Sequence, residues 1–257
     1  MKCVVLSVMG FFMMTGIAMA GHPLVTDDAG TQGTGKGQVE FGLSFFHDKD
    51  KIDELTTLKA EGGSAAIGVT MGLTDSLDVV LNVPYLWFSV DGNDARLDHA
   101  SGLSDINLDV KWRFLDKDGW ALAVKSGIGL PSGDEDKGLG SGHTHYRMFF
   151  IASKSFEPMA LHLNLGYVRH ENNTDERKDI WHASLAAEVA VIKDLKLLGN
   201  VGIERNLASG SENHPAFILG GISYDIGKRI TVDAGIKYGL TSPETEWTYL
   251  AGLTLRF

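Results

Sequence analysis

From Arg229 to Leu240 the chain alternates without a slip. Ile230, Val232, Ala234, Ile236, Tyr238 and Leu240 fall on one side, and Arg229, Thr231, Asp233, Gly235, Lys237 and Gly239 on the other. Successive side chains of a strand point to opposite faces, so a period of two describes a sheet with one oily and one polar surface. SDINLDVKWRF repeats the pattern, with Ile106, Leu108, Val110, Trp112 and Phe114 set against Asp105, Asn107, Asp109, Lys111 and Arg113. About twelve such segments are recognisable, starting near Gln38, Ser64, Leu77, Asp105, Trp120, His145, Met159, Trp181, Leu195, Ala216, Ile230 and Glu246. Between them short turns (TDS, DKDG, EP, KD, GK) alternate with longer polar stretches (DGNDARLDHASGL, PSGDEDKGLGSG, HENNTDERKD, ASGSENH). A chain crossing a layer repeatedly, with tight turns on one side and long loops on the other, has this layout. Nothing marks a boundary between two domains.

A soluble β-sandwich alternates as well, with its apolar face inward, whereas a transmembrane barrel turns the apolar face to lipid. Three features select the barrel. Aromatics sit toward the ends of the apolar sets, as with Tyr85 and Trp87, Trp112 and Phe114, Trp181, Tyr224, Tyr238, and Trp247 with Tyr249, where membrane interfaces place them. The segments reach about ten residues, enough for a tilted strand to cross hydrocarbon. In lipid, moreover, strands satisfy their backbone groups only if the sheet closes on itself. The expected fold is therefore all-β, a single closed antiparallel transmembrane β-barrel of about twelve strands, with short periplasmic turns and longer extracellular loops.

The first twenty residues, MKCVVLSVMGFFMMTGIAMA, combine Lys2, an apolar run and the small-residue pattern Ala18-Met19-Ala20. This is the layout of a secretory signal peptide cleaved after Ala20. The expected organisation is a signal peptide over 1–20, a flexible lead-in or plug segment over 21–37, and the barrel over 38–257. No later apolar run approaches the roughly twenty residues of a spanning helix. The only cysteine, Cys3, leaves with the peptide, so neither disulfide nor thiolate chemistry survives. The formal net charge of −10 argues against nucleic acid as a partner.

The carboxyl-terminal stretch EWTYLAGLTLRF puts Tyr249, Leu253, Leu255 and Phe257 on one face and finishes on the aromatic. It resembles the terminal signal by which the barrel assembly machinery recognises outer-membrane barrels. HPLVTDDAGTQGTGKGQVEFGLSFF (22–46), GVTMGLTDSLDVVLNVPY (68–85), GLSDINLDVKWRF (102–114) and GIGLPSGDEDKGLGSG (127–142) together resemble the family described as "Putative MetA-pathway of phenol degradation". That resemblance implies an outer-membrane channel-like protein linked to uptake of aromatic or other hydrophobic compounds. It carries no established set of binding residues.

The polar faces are the first place to look for function. Glu40, Asp78, Asp105, Asp109, Glu188, Glu204, Asp225, Asp233 and Glu246 stand against Lys111, Arg113, Lys125, Arg147, Lys196, Arg229, Lys237 and Arg256. This near-balanced set either cross-links the wall or lines a polar path, and the expected lumen-lining core is Glu40, Asp105, Asp109, Lys111, Arg113, Glu188, Asp233 and Lys237. The interior is also expected to accept a new cation, such as Lys at Asn107, better than the lipid face does.

His182, Ser184 and Glu188 share a face and offer a hydrolase constellation, but on the lumen side. His143, His145, His162 and His170 are read as lumen or loop-base histidines rather than metal ligands. GTQGTGKG lacks the Ser or Thr of a P-loop and precedes a strand. The chain is therefore expected to be no enzyme and to need no cofactor or metal. The expected partners are outer-membrane lipid and lipopolysaccharide, the assembly machinery, and small hydrophobic solutes. A structural or adhesive barrel without transport is the alternative reading.

Overall fold

A computed structural model describes residues 22–51, 57–93, 95–172 and 176–257; the expected signal peptide lies outside them. Among the described residues there are thirteen strands: β1 (Gly37–Lys51), β2 (Thr57–Thr74), β3 (Leu77–Gly92), β4 (Ala95–Leu103), β5 (Ile106–Lys117), β6 (Trp120–Leu130), β7 (His145–Phe156), β8 (Met159–Arg169), β9 (Asp179–Ile192), β10 (Leu195–Glu204), β11 (Ala216–Ile226), β12 (Ile230–Gly239) and β13 (Trp247–Arg256). Neighbours pair antiparallel, and β13 pairs with β1 from Gln38↔Arg256 to His47↔Trp247, which closes the sheet. Phe257 completes the seam by exchanging backbone hydrogen bonds with Gly37 at 3.0 and 2.9 Å. Among the described residues every edge but one is thereby removed, as the hydrocarbon requires.

That one edge arises from a broken stave. β5 pairs with the lower half of β3, from Leu77↔Trp112 to Asn82↔Asn107, and β4 with its upper half, from Tyr85↔Leu103 to Gly92↔Ala95. The two are one wall element interrupted at Ser104 and Asp105, so the barrel has twelve staves. The break faces Pro84, which has no N–H to give the ladder; Ser104 donates to the Pro84 carbonyl at 2.9 Å instead. Two sequence expectations are corrected here. DGNDARLDHASGL is largely strand rather than loop, and β2 begins at Thr57 rather than near Ser64. Both stretches lie at the long-loop end of the barrel, where the ladder continues without strict alternation of polarity.

The faces are sorted as lipid demands. Val110 is 41% exposed and Asp109, beside it in sequence, 1%. Trp112, Phe114, Trp120 and Tyr224 lie outward near the short turns, and Tyr146, Tyr167, Trp181, Tyr238, Trp247 and Tyr249 outward near the long loops. Lys154 lies over the Trp120 ring at 5.1 Å, and Tyr238 and Trp247 are cross-strand partners with centroids 4.7 Å apart. Tyr249, Leu253 and Leu255 share the outer side of β13, and Phe257, just past its end, is exposed. No helix among the described residues is long and apolar enough to cross a membrane.

Candidate functional site

Residues 22–36 form no strand, yet five of the eight residues in 22–29 are buried and the other three half-buried, because they run inside the barrel. This strap follows the inner wall in order. His22 Nδ1 lies 2.5 Å from Asp233 Oδ1 on β12. The Val25 and Thr26 amides donate to Asn200 Oδ1 on β10, at 2.8 and 3.1 Å. The Thr26 hydroxyl donates to Ser184 on β9 at 2.8 Å. Asn164 on β8 accepts from the Asp27 amide at 2.7 Å and donates to the Asp27 carbonyl at 2.8 Å, imitating a ladder rung. The Ala29 amide donates to Ser153 on β7 at 2.8 Å, and the Gln32 amide to Asp78 on β3 at 3.0 Å. Wall side chains thus replace the strand neighbour that the strap lacks, which buried backbone groups require. Leu24 fills an apolar patch made by Ala186, Leu198, Phe217 and Leu219, and Ala29 packs on Ala123 and Ile151.

The Asp27 carboxylate is the electrostatic centre. Lys111 donates to Oδ1 at 3.0 Å and Lys125 to Oδ2 at 2.8 Å, and all three side chains are buried. Lys111 also donates to the Asp28 carbonyl at 3.0 Å. At its exit the strap meets the β2–β3 turn. There the Thr34 amide and hydroxyl donate to Asp75 Oδ1 at 3.0 and 2.8 Å and hold that carboxyl below its ordinary range.

The other expected lumen residues divide by height. Arg147 grips Asp109 with two bonds of 2.7 and 2.6 Å and donates to Asn107 at 2.9 Å. Asp105 accepts from the Gly133 and Ser141 amides and the Ser141 hydroxyl, tying the 131–144 loop inward. Lys237 pairs at 2.7 Å with Glu244, whose pKa burial raises against the pull of that ammonium. Glu188 accepts from Lys196 at 2.8 Å, and Arg113 lies at the lower mouth, pairing with Asp116 at 2.9 Å. Glu40 and Asp233 are buried.

Three expectations are corrected. Glu246 and Arg229 are exposed outside the strands rather than lumenal, and Glu244 takes the place assigned to Glu246, because the loop before β13 folds inward. Asn107 accepts from Arg147, and its oxygen lies 3.2 Å from His145 Nε2, so a lysine there would remove the acceptor and crowd the guanidinium.

His182 lies 3.0 Å from Ser184 and 3.4 Å from Glu204 Oε2, with Glu204 rather than Glu188 in the third place. The spacing resembles a triad, but the Ser184 hydroxyl is buried and engaged by Thr26, leaving a substrate no approach. Among the described residues no group of three His, Cys, Asp or Glu could hold a metal.

Two openings matter for passage. Below the strap a cavity of about 280 Å³ is bounded by Asp28, Thr31, Glu40, Lys196, Asp225 and Arg256, among others. In the upper wall, no strand among the described residues pairs with the far edge of β4. The 131–144 loop packs at its lower end, with Leu139 buried against Gly102. Sequence reasoning looked for charges and missed the amides and hydroxyls that hold the strap. Asn164, Asn200, Ser153 and Ser184 sit on inward faces, and amides at mid-strand on that face were the available signal.

The closed sheet, lipid-facing apolar belt and polar interior define an outer-membrane β-barrel of the channel-like class. Solved structures agree on the fold. An outer membrane channel from Pseudomonas putida F1 superposes with a TM-score of 0.72 at 15% identity, covering 90% of this chain and 98% of that one. The translocator domain of the autotransporter NalP from Neisseria meningitidis gives 0.61 at 12% identity, covering 100% and 97%. The Pseudomonas putida toluene transporter TodX gives 0.51 at 10% identity, covering 86% and 89%. A search of curated proteins returns no match. The model of the family described as "Putative MetA-pathway of phenol degradation" matches residues 20–257, and the chain belongs to that family.

Proposed function

We propose that this barrel is a passive outer-membrane channel for small hydrophobic or aromatic compounds, held shut in its resting state by the strap over 22–36. The observation that carries this reading is the way the strap is held. It is fixed by side-chain hydrogen bonds, one buried ion triplet and two small apolar contacts, a set that can open without disturbing the wall ladders. A strand paired into the backbone ladder could not do so. Solutes pass through the lumen once the strap shifts, or leave sideways between β4 and the 131–144 loop, where no ladder has to break. Glu40, Asp105, Asp109, Lys111, Arg113, Glu188, Asp233 and Lys237 act as the polar lining and the latch points rather than as a catalytic set. With both signs present and no ring of one charge, ion selectivity is weak.

The printed names of the similar structures, an outer membrane channel and a toluene transporter among them, and the phenol-degradation description of the family suit this solute class. Lipopolysaccharide meets the extracellular rim, and the assembly machinery reads Tyr249, Leu253, Leu255 and Phe257. Uptake of phenol-like compounds should slow in cells lacking the protein and recover with the intact chain. Unchanged uptake across a broad panel of aromatics, together with silent bilayers, would transfer the protein to a structural role.

A further inference from the structure

The outer face of β1 to β4 changes character along its length. Phe45, Gly63 and Trp87 are cross-strand partners on β1, β2 and β3. A side chain at Gly63 would strike the Trp87 ring at 2.6 Å; without one, the indole meets Phe45 edge to face, with centroids 5.7 Å apart. The Tyr85 ring lies 6.5 Å from Trp87, and Phe45 and Tyr85 are exposed, as an aromatic row at a membrane interface is. Beyond this row, toward the long loops, the polarity of the sheet turns over. Inward positions are apolar, with Phe46, Ala60 and Val90 packed together and buried. Outward positions are polar: His47, Glu61, Ser89 and His99 form one rung, and Lys49, Lys59, Asp91 and Arg96 the next. A sheet with its apolar side inward is one whose other side meets water, so the hydrocarbon boundary falls at the Phe45–Trp87 row. The two polar rungs, each about 7 Å further along the strands, lie at the depth of lipid headgroups.

The charges on these rungs favour an anion. Both carboxylates are engaged by a neighbour, Glu61 by His47 at 2.9 Å and Asp91 by Arg96 at 3.3 Å. Lys49 and Lys59 are exposed and stand directly opposite each other across β1 and β2. Like charges placed this way destabilise a strand pair, and an anion held between them turns the repulsion into attraction. Around Arg169 and Lys178, by contrast, Glu171 and Asp179 answer both cations within 3.2 Å. We propose that the corner formed by Lys49, Lys59 and Arg96 above Phe45, Tyr85 and Trp87 docks lipopolysaccharide, with the lipid A phosphates on the cations and an acyl chain along the aromatic row. Phosphate oxygens accept from ammonium and guanidinium groups together, and the aromatic row gives a lipid a foothold that a free phosphate cannot use. The proposal rests on the reading that lipopolysaccharide meets the rim, and it assigns that contact to one sector of the wall.

The test uses the barrel purified in detergent, freed of lipopolysaccharide and titrated with bisphosphorylated lipid A at constant ionic strength, with binding read by native mass spectrometry and folding by heat-modifiable mobility. Lys49→Gln, Lys59→Gln and Arg96→Gln together should weaken binding on the order of 100-fold, about 5-fold for each cation. Arg169→Gln with Lys178→Gln should leave it unchanged. Without lipid A, Lys49→Gln alone removes a like-charge pair and should raise the unfolding temperature above that of the parent; with saturating lipid A the order should reverse, because the parent gains more from the ligand. Equal affinity in the triple variant, an equal loss in the Arg169 and Lys178 variant, or displacement of lipid A by inorganic phosphate overturns the proposal. An intact barrel that binds no lipid A overturns it together with the rim contact on which it rests, while conductance and aromatic uptake still measure the channel separately.

Discussion

The wall and the strap solve the same problem by different means. In the wall, each backbone polar group finds its partner on the neighbouring strand, so the ladder tolerates many side chains provided the lipid face stays apolar. In the strap, the partners are individual side chains on eight different strands, from Asp233 on β12 to Asp78 on β3. Wall stability is spread along the whole ladder and changes gradually. Strap closure hangs on a few atoms, and single substitutions should switch it. An element meant to move is drawn from the less stable part of a structure.

Substitutions should separate the two regions, and the largest effect belongs at the seam. Phe257→Asp, or removal of the last strand residues, takes away the terminal aromatic and weakens the β13–β1 closure, and the protein should be degraded in the periplasm. Normal amounts of heat-modifiable barrel in outer membranes would contradict this. Next comes Asp27→Asn, which leaves Lys111 and Lys125 buried without their anion. Removing one partner of a buried pair costs about 3 to 5 kcal/mol. The cost falls on the closed strap alone, so conductance should rise sharply while the barrel's thermal stability holds. Replacing Lys111 and Lys125 by methionine together with Asp27→Asn should restore part of the closure.

A charge on the lipid face acts oppositely. Val110→Arg or Val232→Arg should destabilise the folded barrel by about 2 to 4 kcal/mol in urea titration and leave single-channel conductance unchanged. The smallest effect is expected at the strap's exit. Asp75 has a depressed pKa, so its contribution is present above the ordinary carboxylate value and is lost as pH falls through the folded one. The Asp75 contribution to closure should hold from pH 5 to 8 and weaken only below about pH 4, and Asp75→Asn should remove that part of any acid step in bilayer recordings.

The same contrast explains what the sequence could disclose. A strand writes its environment into its own residues, so Ile106 to Phe114 or Ile230 to Leu240 announce both faces locally, and the barrel, its closure and its inside-out polarity were legible. The strap does not write its partners into itself. Asp27 meets Asn164, Lys111 and Lys125 at separations of 137, 84 and 98 residues, and nothing in VTDDAG fixes that choice. The broken stave was hidden for a related reason: Pro84 disrupts a ladder whose other half lies some twenty residues away, and ARLDHASGL carries too many polar residues to read as strand.

The most direct measurement is the planar-bilayer conductance of the barrel lacking residues 22–32, compared with the intact chain at the same salt and voltage. Because the strap is fastened inside a wall that closes without it, the deleted form should still show heat-modifiable mobility. It should also pass several times the current of the intact chain, with little ion preference. A correctly folded deletion form that conducts no more than the parent would show that the strap is not what closes this barrel.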